Sequence, residues 1–261
     1  MIGGLPGMIF KIDENAPEYY GLAGVVSDEQ AEVALALGLR KERTAEEVAA
    51  RCGRSLEDTG RLLGELAVIG ICRVYNSNGT DHFIVQPFAP GLFEEMIGNR
   101  DQLAKHPEIA KAFEEYTRLR IAELAPNLPM GHSPMRIIPI ESAINADMQK
   151  VPFEQISYYL NKYDIFAVAD CSCRASRRIL GQGCGHIEKD MCVFLGTAAE
   201  YYIRTGRGRK ITREEAFDII RLAEENGLMH QMPTTDGEGE AAAICNCCSC
   251  SCFATRIAGL Y

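Results

Sequence analysis

The chain has 261 residues, of which 47% are hydrophobic and 24% are charged, and its formal net charge is −9 at pH 7. This length accommodates two domains, and the acidic balance argues against a general nucleic-acid binder. No apolar stretch reaches the roughly 20 residues of a membrane helix, and the apolar start lacks the basic leader of a secretory signal, so we expect a cytoplasmic protein with no membrane span.

The N-terminal part of the sequence predicts three helices. Ser27, Thr44 and Ser55 each stand where a side-chain oxygen would cap the first turn of a helix. Glu47 would complete a capping box with Thr44. Apolar residues recur at helical spacing after the first and third of these caps, so each cap is expected to open a helix.

A β-hairpin is predicted next. Two short runs, Ile71–Tyr75 and His82–Gln86, flank the turn sequence Asn76-Ser77-Asn78-Gly79. Three helices followed by a hairpin resemble a winged helix-turn-helix, which is a DNA-binding module. Residues 1–100, however, carry nine basic and fifteen acidic residues, a balance that a phosphate backbone penalises. We therefore favour a protein-interaction or scaffold role for this region over nucleic-acid binding.

The segment after residue 98 predicts an amphipathic helix that ends at Pro126. Its apolar positions repeat at helical spacing: Ile109, Ala112, Phe113, Tyr116, Leu119, Ile121 and Leu124. A loop rich in proline and glycine follows at Asn127–Pro134. We place the domain boundary in this loop, between a domain of residues 1–130 and a domain of residues 131–261.

Four regular elements are predicted in the second domain. The two predicted strands are Arg136–Ile140 and Ile165–Val168. The two predicted helices are Pro152–Tyr163 and Thr212–Gly227. Glu215 would complete a capping box with Thr212. The predicted fold class is therefore α+β and mostly helical, with a winged-helix-like domain followed by a cysteine-rich domain.

Nine of the eleven cysteines lie in the last 91 residues, in two groups. The first group is Cys171, Cys173, Cys184 and Cys192, and the second is Cys245, Cys247, Cys248, Cys250 and Cys252. Thiols at this density are not core filling, and crowded thiolates repel one another unless a cation binds them. In a reducing cytosol, metal ligation is favoured over disulfides. All nine cysteines are therefore candidate ligands of a metal cofactor.

The cysteine spacing favours iron–sulfur clusters over structural zinc. Neither half of the first group has the Cys-x₂₋₄-Cys knuckle of zinc fingers and ribbons, and five cysteines within eight residues cannot all bind one tetrahedral ion. Nine thiols suit one or two [4Fe–4S] clusters, and Zn²⁺ is the alternative metal. Arg174, Arg177 and Arg178 follow the first two cysteines and would raise a cluster's potential, unless they form a solvated face. The cysteine-rich domain is thus expected to be an iron–sulfur domain.

Four strings in this domain resemble a family of bacterial and archaeal 4Fe–4S-binding proteins. They are Ala167–Arg174 (AVADCSCR), Gly183–His186 (GCGH) with Cys192, Gly227–His230 (GLMH) and Ile244–Cys248 (ICNCC). The resemblance covers roughly residues 136–256, and a winged-helix-like part also precedes this region in such proteins. It implies an electron-transfer subunit or module of an anaerobic redox complex. Its partners would be other redox subunits, or a ferredoxin-like or flavin-containing protein.

Three functional hypotheses follow from these patterns. The first is an iron–sulfur subunit that relays electrons within a larger oxidoreductase. The second is a zinc-stabilised scaffold, and the third is an iron–sulfur-sensing winged-helix transcription regulator. The sequence shows no acid–base or nucleophile constellation, so we expect no catalysis by the chain alone.

Overall fold

The computed structural model describes four stretches of the chain, residues 13–121, 135–140, 155–233 and 242–258. The fold is α+β, as predicted, and its two sheets are antiparallel. The chain divides into two compact units, Met1–Arg120 and Ile121–Tyr261. The proposed boundary loop at 127–134 lies outside the described residues. In the described part of the chain, no helix is both long enough and apolar enough to cross a bilayer.

Within its described residues, the first unit contains seven α-helices, three strands and π-helical turns at Phe88–Leu92 and Thr117–Ile121. The helices are α1 (Pro17–Ala23), α2 (Asp28–Leu37), α3 (Ala45–Cys52), α4 (Leu56–Ile69), α5 (Phe93–Gly98), α6 (Arg100–Lys105) and α7 (Glu108–Tyr116). The strands are β1 (Glu42–Thr44), β2 (Cys72–Ser77) and β3 (Thr80–Val85), which form an antiparallel sheet in the order β1-β3-β2.

The three predicted N-caps of this unit are confirmed. The Ser27 hydroxyl accepts a hydrogen bond from the Gln30 backbone N–H, and the Gln30 side chain accepts from the Ser27 backbone N–H. Thr44 and Glu47 form the same reciprocal pair at the start of α3. Ser55 caps α4 alone. Each such cap contributes about 1 kcal/mol, because it satisfies a backbone donor that the helix leaves open.

The hairpin is confirmed, but its turn is shorter than predicted. Asn76 pairs with Asp81 and Ser77 with Thr80, so both strands extend into the predicted four-residue turn. Only Asn78 and Gly79 remain as the loop, with φ values of 51° and 83°. Two consecutive left-handed residues match the right-handed twist of the strands, which is why Asn-Gly is favoured there.

The amphipathic helix is interrupted where it was predicted to continue. Regular α-helix ends at Tyr116, and a π-helical turn covers Thr117–Ile121. Leu119, predicted to lie on the apolar face, lies within this turn and is 46% exposed. The predicted apolar position Leu124 lies outside the described residues.

Glu94 on α5 gives the first unit a pH-dependent stability. Burial raises the pKa of its carboxyl to about 7, although the Gly91 backbone N–H donates to Oε2 at 2.7 Å. An unfolded glutamate releases its proton at lower pH, so the folded state holds the extra proton between these two pKa values. Stability from this group is therefore present at acidic pH and is lost as pH rises towards 7.

Replacing Glu94 with glutamine is expected to remove this pH dependence. Between pH 4 and pH 8, the free energy of unfolding of the unmodified protein should fall relative to that of Glu94→Gln by at most about 3 kcal/mol. Urea unfolding followed by circular dichroism at a series of pH values measures the difference, with the exposed Glu57→Gln as the matched control. Parallel pH profiles for the unmodified protein and Glu94→Gln would contradict the assignment.

The second unit is built around a six-stranded sheet. Its strands are β4 (Met135–Ile138), β5 (Phe166–Ala169), β6 (Cys192–Leu195), β7 (Arg209–Ile211), β8 (Met229–Pro233) and β9 (Ala243–Cys247). They are antiparallel and lie in the order β4-β8-β9-β6-β5-β7. The described helices are α8 (Ile156–Lys162), α9 (Ser172–Ile179), α10 (Gly196–Arg204), α11 (Arg213–Glu225) and α12 (Phe253–Ala258).

The four elements predicted here are present, with shifted ends. Residues 152–154 of the predicted helix lie outside the described residues. Thr212 caps α11 by accepting from the Glu215 backbone N–H at 3.1 Å. The predicted capping box is not completed, because the Glu215 carboxylate binds Arg209 instead, at 2.5 Å. Four strands and three helices of this unit were not predicted: β6, β7, β8, β9, α9, α10 and α12.

Strand alternation places Cys192 and Cys245 on the opposite face of this sheet from Val193 and Ile244. Val168, Val193 and Ile244 are opposite one another on neighbouring strands and belong to a buried core with apolar residues of α8 and α11. Because successive side chains point to opposite faces, Cys192 and Cys245 lie on the other face. Buried Cys171, Cys192 and Cys248 belong to the same core cluster as these apolar residues, so the thiols border the core.

Candidate metal centre

Strand pairing brings the two cysteine groups together. Cys192 on β6 lies directly opposite Cys245 on β9, and Ala169 on β5 lies opposite Cys192 from the other side. Cys171 follows β5 after one residue and occupies the N-cap position of α9, without a capping hydrogen bond from its side chain. Residues far apart in sequence thus meet at one end of three neighbouring strands.

The segment that carries Cys184 is tied to the same end of β5. The Glu188 carbonyl accepts a hydrogen bond from the Cys171 backbone N–H at 2.8 Å. The Asp170 carboxylate accepts from the Asp190 backbone N–H at 3.0 Å. These two bonds anchor the connection between α9 and β6, so its cysteine is held near the others.

Six of the nine thiols form a continuous row. Each thiol hydrogen-bonds to its neighbours along the row. The order is Cys173, Cys171, Cys192, Cys245, Cys247 and Cys252, and we refer to these residues as the six-thiol row. Four of them are buried, namely Cys171, Cys192, Cys247 and Cys252. The row is therefore a largely buried line of sulfur atoms.

The other three thiols form a separate group. The Sγ atoms of Cys184, Cys248 and Cys250 all lie within 4.8 Å of one another. Cys184 and Cys248 are 3.8 Å apart at Sγ. Cys248 is buried and Cys250 is exposed, so this three-thiol site extends from the interior to the surface. All eleven cysteines of the chain are free thiols, and the three-thiol site could hold a metal ion.

The thiols of the six-thiol row cannot all ionise without a cation. Hydrogen bonds from neighbouring thiols hold the pKa of Cys171 and Cys245 well below the usual value. The same bonds, together with burial, raise the pKa of Cys173, Cys192 and Cys247 well above it. Low and high values alternate because a thiolate is stabilised only beside a neighbour that keeps its proton. Full deprotonation of the row therefore requires bound positive charge.

The three-thiol site shows a related pattern. Burial opposes ionisation of Cys184, but hydrogen bonds from the Ser251 hydroxyl, the His186 backbone and the thiols of Cys250 and Cys248 outweigh it and lower its pKa to about 7. Partial desolvation and hydrogen bonds to Cys184 and Cys248 raise the pKa of Cys250 to about 11. A thiolate at Cys184 is thus accessible near neutral pH.

One arginine lies between the two thiol groups. Arg174 is 3% exposed and donates two hydrogen bonds to the Asn246 carbonyl, at 2.9 and 3.1 Å. The thiolates of Cys171, Cys248 and Cys192 raise its pKa against the cost of burial. Its guanidinium is a fixed positive charge beside the sulfur atoms.

The two following arginines do not share this position. The guanidinium of Arg178 is exposed and forms an ion pair with Glu188 at 3.1 Å, and Arg177 binds the Gln182 side chain. The charge interactions of Arg174 are with cysteines, whereas those of Arg178 are with Glu188 and Asp170.

The two histidines near the cysteines play other roles. His230 is fully buried, with Nδ1 2.8 Å from Asn246 Oδ1 and Nε2 3.2 Å from Glu224 Oε1. It therefore links β8, β9 and α11 on the core side of the sheet. The His186 side chain is exposed. Sequence reasoning missed Asn246 and Ser251, whose only signal was a polar residue placed between closely spaced cysteines.

No protein-family model, no curated protein and no solved structure matches this chain. The resemblance to 4Fe–4S-binding proteins therefore stays a prediction. The function must be argued from the donor set and its surroundings.

Proposed function

We propose that this chain is an iron–sulfur electron-transfer subunit of a larger oxidoreductase. The observation that carries the proposal is the convergence of nine free thiols, from two distant parts of the sequence, at one end of a single sheet. The donor set consists of soft thiolates, which suit iron–sulfur clusters and zinc. The six-thiol row alone contains more sulfur ligands than one tetrahedral ion can bind.

The surroundings of the six-thiol row also suit a cluster. Four thiolates of this row could ligate one [4Fe–4S] cluster, which when bound supplies one-electron exchange. The chain's own residues provide burial, a fixed guanidinium at Arg174 and a sheet that holds the cysteines in register. These are the features by which a protein tunes and protects such a group.

Purification without oxygen tests the cofactor directly. We expect a brown protein with broad absorption near about 400 nm and with iron and acid-labile sulfide in similar amounts. Iron, zinc and sulfide are measured on the same sample, and a pull-down under the same conditions identifies redox partners. A colourless protein that contains zinc but no sulfide would favour the zinc-stabilised scaffold instead.

The first unit supports protein interaction over DNA binding. The order helix, strand, two helices and hairpin from α2 to β3 favours a winged-helix-like module, in which α4 would enter the major groove. The two arginines at α4 are already paired. Arg54 lies 2.8 Å from Glu32 and 3.1 Å from Asp58, and Arg61 lies 2.8 Å from Glu65. These pairs leave little positive charge for phosphate contacts.

We therefore expect no specific DNA binding by the purified protein. Fluorescence anisotropy with labelled duplex DNA at about 50 mM salt should show no saturation at micromolar protein. The matched comparison is the double variant Glu32→Gln with Glu65→Gln. It removes one carboxylate partner from Arg54 and one from Arg61. Tight binding by the unmodified protein with a steep salt dependence would support the regulator hypothesis.

A further inference from the structure

The sulfur atoms of the three-thiol site are spaced as they would be around a single metal ion. Around one tetrahedral ion with metal–sulfur bonds of about 2.3 Å, the sulfur atoms are about 3.8 Å apart. The Sγ atoms of Cys184 and Cys248 are 3.8 Å apart, and Cys250 brings its Sγ within 4.8 Å of both. The thiolates of a cubane each bind a different iron, so the metal–metal separations spread them further. The three sulfur atoms are therefore close enough together to bind one metal ion.

We propose that Cys184, Cys248 and Cys250 bind a single thiophilic divalent cation of the Zn²⁺ class, separate from any cluster held by the six-thiol row. The separation of this site from a cluster rests on the proposed function, whereas the binding of one cation by these three cysteines does not. The three residues are then removed from the ligands available to iron. One cluster, with ligands drawn from the six-thiol row, remains.

The charge around the three-thiol site suits a divalent ion. Three thiolates and a divalent cation carry a net charge of −1, and Arg174 hydrogen-bonds to the Cys248 sulfur. The Ser251 hydroxyl and the His186 backbone donate to the sulfur of Cys184. Such donors orient ligating sulfurs and stabilise their charge. The site thus holds compensating groups on the two ligands that are furthest from solvent.

The site has an open fourth position. Among the described residues, no histidine, aspartate, glutamate or further cysteine joins the three thiols. Cys250 is exposed, so solvent reaches this side of the site. A tetrahedral ion here would take water or another exchangeable ligand, as zinc does in sites with three protein ligands.

Metal analysis of matched variants tests the proposal. The double variant Cys184→Ser with Cys250→Ser should lose about one zinc per chain and keep the iron and sulfide of the unmodified protein. Cys192→Ser, in the middle of the six-thiol row, should lose iron and sulfide and keep zinc. Cobalt added to metal-free protein should give thiolate charge-transfer bands that the double variant lacks. Circular dichroism of the single variant Cys250→Ser, whose side chain is exposed, confirms that folding is retained.

The possible outcomes separate this inference from the proposed function. Loss of iron and sulfide from the double variant would show that these cysteines ligate a cluster, which overturns the inference. Unchanged zinc and cobalt binding in the double variant would also overturn it. An unmodified protein without iron, whose zinc depends on Cys184 and Cys250, would support the single-ion site while the iron–sulfur proposal fails.

Discussion

Replacing Cys171 with alanine is expected to strip iron and sulfide from the protein and to unfold much of its second unit. Cys171 is 6% exposed, lies second in the six-thiol row and interacts with the thiols on both sides. Without a cofactor, the remaining thiols of the row keep their protons or repel one another. Because the binding energy of a metal group becomes folding energy, its loss should cost several kcal/mol. Iron and sulfide analysis with thermal unfolding measures both effects.

Cys52→Ala is the matched control for this experiment. Cys52 lies at the end of α3 in the first unit, where its Sγ is 3.8 Å from the Ala49 carbonyl oxygen and 3.9 Å from the Thr59 hydroxyl. Its replacement should cost only packing, on the order of 1–2 kcal/mol, with no loss of iron. Cys247→Ala should behave like Cys171→Ala. Equal iron content in all three variants would show that the ligands are assigned wrongly.

Replacing Arg174 with methionine is expected to lower the reduction potential of the cofactor by on the order of 100 mV. Reduction adds negative charge, and the buried guanidinium stabilises that charge at short range. Methionine removes the charge while filling similar space. It also leaves the Asn246 carbonyl without its two donors, which should cost about 1–3 kcal/mol of stability. A redox titration followed by optical or electron paramagnetic resonance spectra gives the potential.

Two further variants separate charge from structure at this position. Arg174→Lys keeps the charge but cannot make the same pair of hydrogen bonds, so most of the potential should be retained and part of the stability lost. Arg178→Gln removes an exposed charge that is already paired with Glu188, so its potential should change little. Equal shifts for Arg174→Met and Arg178→Gln would mean that general charge, and not the buried position, sets the potential.

Local chemistry explains which parts of the fold could be predicted. Ser27, Thr44 and Ser55 satisfy backbone donors within three residues of themselves, so their caps depend little on the rest of the chain. The Asn78-Gly79 loop is predictable for the same reason, since its left-handed backbone is a property of two residues. The capping box predicted at Thr212 does not form, because the Glu215 carboxylate pairs with Arg209, which lies outside the local pattern.

The strands of the second unit were missed for the opposite reason. β6 (Cys192–Leu195) and β9 (Ala243–Cys247) are short, and their cysteines masked the alternation that marks a strand. Their pairing joins segments separated by about fifty residues. Such contacts depend on the whole chain closing on itself, which no local pattern reports.

By itself, the sequence determined that this chain carries a dense set of soft ligands, because nine clustered cysteines have a clear chemical meaning wherever they fold. Only the tertiary structure decided how those ligands are divided. Strand register puts Cys192 against Cys245, and the anchored connection after α9 brings Cys184 to Cys248. The physical reason is that ligand identity is a property of single residues, whereas the distance between two sulfur atoms is a property of the fold.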